Sequence, residues 1–260
     1  VTAATADEIA RARTILRGAR RLLVFTGAGV SAESGVPTFR GPGGVWNSYR
    51  AEELATPEAF ARDARLVWEW YAWRRTLVAR CEPNAAHHAI ARHVAAHPES
   101  LVVTQNVDGL HQRAAREADP TRGGTSVVAL HGHLFGVRCT RWPACSTRGT
   151  HVATIDATSA DTLPRCERCG ALLRPDVVWF GEALEATDLE AAFDAAQRAD
   201  ACLVVGTSAV VQPAASVAAT AARAGAPLIE VNAEVTPLSR LATVSLRGRA
   251  AELVPALLDD

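Results

Sequence analysis

A short apolar run that ends in a glycine-rich turn constrains this chain more than any other stretch. Leu22–Phe25 is apolar throughout, as a short buried strand is, and the run stops at Thr26. Gly27, Ala28 and Gly29 then permit a tight turn, and Ser31 and Ala32 open a short helix. Gly27, Gly29 and Ala32 have the G-x-G-x-x-G/A spacing of a dinucleotide-binding turn. On that reading, N–H groups at the helix start face a pyrophosphate and the helix dipole adds attraction. The spacing alone fits an ordinary glycine-rich strand–helix turn equally well. The acidic residue that usually follows about twenty positions on is not evident.

The rest of the chain supplies the partners such a strand needs. Asp7–Arg20 reads as an amphipathic helix with Ile9, Ile15 and Leu16 on one face. Residues 51–80 read as helical, starting at Thr56-Pro57 and carrying Phe60, Val67, Trp68 and Trp70. Tyr71 and Arg74 are three apart and share a helix face; taken alone they describe an amphipathic helix with a solvated Arg. Pro83–His97 is a further helix, with His87, His88, His93 and His97 expected as surface or capping residues. Leu101–Val103 and Ser126–Leu130 read as strands. Helix 186–199, strand 201–205, helix 213–224, strands 227–231 and 243–247, and helix 250–258 complete the pattern. Alternating strands and helices imply a parallel sheet covered on both faces.

Polar residues cluster where these strands stop. Gln105, Asn106 and Asp108 follow one, Gly206-Thr207-Ser208 another, and Asn232 a third. Ligands of open α/β sheets bind at the carboxyl ends of strands. His131 also lies at a strand end, and the ordinary imidazole pKa of ~6.5 suits a base near neutral pH. His133 is expected to be structural.

Cys139 and Cys145 are followed, about twenty residues on, by Cys166-x2-Cys169, which matches a tetrahedral zinc ribbon. Four protein ligands leave no open position, so such a zinc is structural. Cys81 and Cys202 have no partner at metal spacing. The chain is 48% hydrophobic and 21% charged with a net charge of −1, which suggests neither broad nucleic-acid nor anionic-membrane binding. No apolar run approaches the ~18 residues of a membrane span, and the polar, acidic start is unlike a secretory signal, so a cytoplasmic protein is expected.

Beyond the turn, Gly35-Val36-Pro37-Thr38-Phe39-Arg40-Gly41 is no generic loop. With TQNVDGLH at 104–111, HGH at 131–133, VVWFGE at 177–182, GTS at 206–208 and VNAE at 231–234, the chain resembles the sirtuin family of NAD-dependent protein deacylases over nearly its whole length. Two departures stand out. Most of that family has Asp where Thr38 stands here, and Thr38 resembles the branch that removes acidic acyl groups. The family also usually has two residues, not five, between the first pair of zinc ligands.

The resemblance implies that NAD lies over Gly27, Ala28, Gly29 and Ser31, with Thr38, Phe39, Arg40 and Trp46 in the loop that covers it. Gln105, Asn106 and Asp108 would position the nicotinamide ribose and carboxamide. Gly206, Thr207, Ser208, Asn232, Glu234 and Ala250 would complete the cofactor site. His131 and Asn106 would be the catalytic residues, His131 removing a ribose hydroxyl proton after loss of nicotinamide. The products would be lysine and an O-acyl-ADP-ribose. Val178, Trp179, Phe180 and Gly181 would pair with the substrate backbone as an added strand. Tyr71 and Arg74 fit the Y-x-x-R signature for succinyl- and malonyl-lysine. One zinc would be held by Cys139, Cys145, Cys166 and Cys169, and the partners would be acyl-lysine proteins or peptides.

The expected fold is therefore a doubly wound, Rossmann-like α/β domain with two insertions in a single 1–260 catalytic unit. Its large part comprises about 1–40, 81–135 and 176–260; the helical insertion is about 41–80 and the zinc ribbon about 136–175. Two rivals remain. An NAD-dependent ADP-ribosyltransferase would differ only in its acceptor. A non-catalytic NAD or ADP-ribose binding module would leave His131, Asn106 and Asp108 superfluous.

Overall fold

The computed structural model describes residues 4–37, 45–46, 49–122, 124–152 and 154–259, with the side chains of Val45, Trp46 and Tyr49 outside that description. In chain order the elements begin with α1 (Ala6–Arg17), β1 (Leu22–Thr26), a 3-10 helix (Ala28–Ser34), β2 (Val45–Trp46) and β3 (Tyr49–Arg50). Next come α2 (Ala51–Leu54), α3 (Pro57–Arg62), α4 (Ala64–Val78), α5 (Ala85–Ala96), β4 (Leu101–Thr104) and α6 (Leu110–Ala118). β5 (Val127–Ala129), β6 (Gly132–Cys139), β7 (Arg148–His151) and β8 (Leu173–Val177) follow. The chain ends with α7 (Ala186–Arg198), β9 (Ala201–Val205), α8 (Ala215–Arg223), β10 (Leu228–Asn232), β11 (Val244–Arg247) and α9 (Ala250–Leu258).

Six strands form a parallel sheet in the order β11-β10-β9-β1-β4-β5. Counted along the chain, that is the doubly wound dinucleotide-fold order, and it reverses between β1 and β9. Successive strand residues face opposite sides. Leu22, Val24, Val102 and Leu203 pack under α1, α5 and α9, whereas Leu23, Phe25, Val103 and Val204 pack against α7 and α8. Burial on both faces explains why these strands read as continuous apolar runs.

The helical stretch 51–80 is three helices rather than one. Thr56 caps α3 and Asp63 caps α4, each side chain accepting a backbone N–H three residues on. The two insertions share one core, which joins Trp68, Trp70 and Tyr71 of α4 to Leu134, Val137, Leu173 and Trp179. Arg75 fastens them: its guanidinium donates to the carbonyls of Leu134 (2.7 Å), Gly136 (3.0 Å) and Val152 (3.1 Å). Burial pushes the pKa of Arg75 down to about 10, which still leaves it charged at neutral pH. Trp68 Nε1 adds a bond to the Leu173 carbonyl at 3.0 Å. Among the described residues, no helix is long and apolar enough to cross a membrane.

Candidate active site

β1, β4, β9 and β10 end in register, with Thr26 beside Thr104 and Val205, and Val205 beside Val231. Their polar continuations therefore meet on one edge. The Gln105 amide nitrogen donates to Thr207 Oγ1 at 2.8 Å, and that of Asn232 donates to the Thr207 carbonyl at 2.6 Å. Ser208 is half-buried on the same loop.

The glycines of the turn pack closely against the loop that follows β9. Gly29 N–H donates to the Gly206 carbonyl at 2.8 Å and Gly27 N–H to the Val205 carbonyl at 3.1 Å. A Cβ on Gly29 would lie 2.7 Å from Gly206 Cα, and Gly206 itself has φ +59. These residues let the β1 and β9 loops touch at the point where strand order reverses. The amides of Gly27 and Gly29 thus bond to the chain itself, and Ala28 is half-buried beside them.

Behind the turn lies a buried polar chain. Ser31, fully buried, donates to Asp108 Oδ2 at 2.8 Å, accepts from the Asn106 amide at 3.1 Å and lies 3.3 Å from His87 Nε2. Asn84 N–H donates to His87 Nδ1 at 3.2 Å, so Nδ1 is the acceptor nitrogen and Nε2 carries the hydrogen toward Ser31. Burial, aided by His111 and His88, pushes His87 down to about 2, so it stays neutral. Burial raises the pKa of Asp108, opposed by the Leu110 N–H, Ser31 and Arg74. His87 does cap its helix as expected, but it is no surface residue. His111 backs the same cluster at 3.0 Å from Thr26 Oγ1, and burial lowers it to about 4. Sequence reasoning missed both histidines; the His87 position at the third residue of α5 was the available signal.

His131 Nδ1 lies 2.8 Å from the Gln105 carbonyl. A carbonyl only accepts, so Nδ1 holds the proton and Nε2 is the basic nitrogen. Burial lowers the pKa of His131, partly offset by that bond. His133 accepts from the Phe135 N–H at 3.2 Å, the structural role expected of it.

β8 stops at Val177, so Val178, Trp179, Phe180 and Gly181 form an extended segment and turn after the strand. Val178 N–H is bonded to the His131 carbonyl at 2.9 Å and Phe180 N–H to the Ala55 carbonyl at 2.9 Å, while the Phe180 side chain is exposed. Tyr71 is fully buried and its hydroxyl accepts from Trp179 Nε1 at 2.9 Å. Arg74 is half-buried rather than solvated, with its guanidinium 5.0 Å from the centre of the Trp70 ring and 5.6 Å from that of Tyr71. Burial lowers its pKa, opposed by Tyr71 and Asp108. Glu234 is exposed, its carbonyl accepting from Arg247 at 2.9 Å, and Ala250 is buried at the start of α9. Thr38, Phe39 and Arg40 lie outside the described residues, as does the Trp46 side chain.

The sulfurs of Cys139, Cys145, Cys166 and Cys169 all lie within 4.8 Å of one another. Cys139–Cys169 and Cys145–Cys166 are 3.5 and 3.6 Å apart. Zinc–thiolate bonds of ~2.3 Å give a tetrahedron with edges of about 3.8 Å, so this donor set fits one zinc ion. The five-residue spacing is accommodated by a turn in which Cys145 N–H bonds back to the Arg141 carbonyl at 3.0 Å. Cys145→Ser should lose most of the bound zinc and melt at a lower temperature, because metal binding supplies folding free energy to such a ribbon. Metal content and a thermal melt check this; a full zinc equivalent at unchanged stability would remove Cys145 from the ligand set. Cys202, buried in β9 with its thiol pushed up to about 12, belongs to the core.

Residues 27–213 match the protein-family model described as Sir2 family. The chain is 49% identical over 253 residues to an NAD-dependent protein deacylase of Thermococcus kodakarensis, covering 96% of this chain and 94% of that protein. It is 48% identical over 246 residues to NAD-dependent protein deacylase 2 of Pyrobaculum aerophilum, covering 95% and 93%. Among solved structures, a Sir2 homologue in complex with NAD superimposes with a TM-score of 0.85 at 46% identity, covering 99% of this chain and 94% of the other.

Proposed function

The chain belongs to the Sir2 family, and on that premise we propose that it is an NAD-dependent protein-lysine deacylase with a preference for acidic acyl groups. The observation that carries the deacylase reading is His131, held by the Gln105 carbonyl with a neutral, basic Nε2 at the carboxyl edge of the sheet. The edge residues fit a dinucleotide. Amides of Gln105, Asn106 and Asn232 and hydroxyls of Thr207 and Ser208 surround the point of strand reversal, where such ligands bind.

NAD held at this edge would supply an electrophilic sugar carbon for the acyl oxygen. His131 Nε2 would take a ribose hydroxyl proton, and its tautomer is fixed beforehand by the Gln105 carbonyl. Asn106 and Asp108 are held by Ser31, and Asp108 also by the Leu110 N–H, so both side chains would be fixed in place beside the ribose and carboxamide. Neutral His87 completes that support through Ser31 and adds no positive charge to the cluster. The four cysteines hold the ribbon and take no part in the chemistry.

The acidic-acyl preference rests on Tyr71 and Arg74. Unpaired, a succinyl carboxylate would be costly to bury. Arg74 offers two N–H groups in fork geometry, and Tyr71, already accepting from Trp179, has a hydroxyl hydrogen to donate. Mass spectrometry of a succinyl-lysine peptide incubated with NAD tests the whole reading. Free lysine, nicotinamide and O-succinyl-ADP-ribose are expected. A peptide that gains ADP-ribose and keeps its acyl group would mark a transferase instead.

A further inference from the structure

We propose that Glu33 is a positioning residue for the adenosine half of the cofactor and acts by capping α9 from the helix that follows β1; this rests on the reading above that NAD lies across the carboxyl edge of the sheet. A dinucleotide at the point of strand reversal puts one half over β1 and β4 and the other over β9, β10 and β11. Asn106 and Asp108 follow β4 and are read as the nicotinamide side, so the adenosine side falls to the chain beyond β10 and β11. There Asn232 pairs with Arg247, Gly248 N–H donates to the Asn232 carbonyl at 3.3 Å, and α9 then starts at Ala250. The first turn of α9 is therefore part of that edge.

That turn has no cap of its own. The first N–H groups of a helix lack partners within it, and Arg249, at the capping position, places no side-chain acceptor on them. Glu33 supplies one from 218 positions away: its Oε2 accepts from Ala251 N–H at 2.7 Å, and its Oε1 lies 3.1 Å from Arg249 Nε. The carboxylate also sits at the positive end of the helix dipole. The element that carries Glu33 is well held. It is the 3-10 helix Ala28–Ser34, whose Val30 carbonyl and Ser34 hydroxyl accept from Asn84 Nδ2 at 2.8 and 3.0 Å. Val30 also shares a core with Ala250 and Val254 of α9. Ser31 on the same short helix holds Asn106 and Asp108. One element thus grips the β4 side through Ser31 and the start of α9 through Glu33, which keeps the two halves of the cofactor site at a fixed spacing.

The test is calorimetric titration with ADP-ribose, together with kcat and the KM for NAD. The proteins are the wild type, Glu33→Ala, Glu33→Gln, Asn232→Ala and the double variant of Glu33→Ala with Arg249→Asp. Glu33→Ala should raise the Kd for ADP-ribose and the KM for NAD roughly 5-fold, the effect of one helix cap, and leave kcat unchanged. Glu33→Gln keeps an oxygen for the Ala251 N–H and loses only a pairing with the exposed Arg249, so it should bind close to wild type. Arg249→Asp gives α9 a cap of its own and should restore affinity in the Glu33→Ala background, a rescue that a generally loosened fold would not show. Glu33→Met keeps the side-chain length without an acceptor and should reproduce the loss if Glu33→Ala folds poorly. An unchanged Kd, a kcat that falls as far as the affinity, or no rescue by Arg249→Asp would overturn the proposal. If Asn232→Ala weakens ADP-ribose binding and the Glu33 variants do not, only this inference falls. A wild type that binds no ADP-ribose would end the placement of the cofactor, and this inference with it.

Discussion

His131→Ala is expected to fold normally and to lose NAD-dependent deacylation by at least ~100-fold, the lower range for a general base. Folding should survive because the fixed contact on the strand side is made by the backbone: the His131 carbonyl accepts from Val178 N–H at 2.9 Å whatever the side chain. The catalytic loss follows from the tautomer. With Nδ1 tied to Gln105, Nε2 is the ring's one basic atom, and alanine has none. The pH profile gives a second check. Burial disfavours the imidazolium, so the neutral base persists to lower pH than in a free histidine. The acid limb of kcat/KM should therefore fall below the ordinary value of ~6.5. Near wild-type turnover in the variant would assign the base elsewhere.

Arg74→Met should cut desuccinylation far more than deacetylation. Removing a charge-assisted bidentate hydrogen bond from a desolvated site costs on the order of 2–4 kcal/mol, or roughly 30- to 1000-fold in rate. Methionine keeps an unbranched apolar stem in place of the arginine's and removes the guanidinium that lies over Trp70 and Tyr71, so the substitution removes charge and donors more than volume. A specific alternative is open to measurement, because burial raises the pKa of Asp108 and the Arg74 charge is one of the groups that oppose that rise. Equal losses on succinyl and acetyl peptides would mean that Arg74 serves the cofactor side through Asp108. Steady-state kcat/KM on matched peptides with both proteins separates the two outcomes.

Period and punctuation in the sequence determined the large domain. Strands buried on both faces read as unbroken apolar runs, and their ends are marked by polar residues because a chain leaving a sheet must satisfy its own backbone. That is why Gln105, Asn106, Asp108, Thr207 and Asn232 were legible as a group from sequence. The ribbon was legible too, since two pairs of cysteines at ligand spacing are local features. Whether Cys145 reaches the other three across five intervening residues was not local; a backbone turn at Arg141 decided it.

Tertiary structure alone decided which polar groups face one another. Gly27 and Gly29 look the same in sequence whether they approach a phosphate or another loop, and here they approach Gly206. His87 sits on an alternating helix among three other histidines, and only the packing of α5 behind the first turn puts it against Ser31. Tyr71 and Arg74 share a helix face by spacing, yet a solvated arginine and a half-buried one have the same spacing. The bond from Trp179 to Tyr71 joins residues 108 positions apart. Such contacts carry no period along the chain. They arise because the helical insertion and the ribbon bury their apolar faces against each other, and burial then obliges each polar atom inside to find the partner that the fold has placed there.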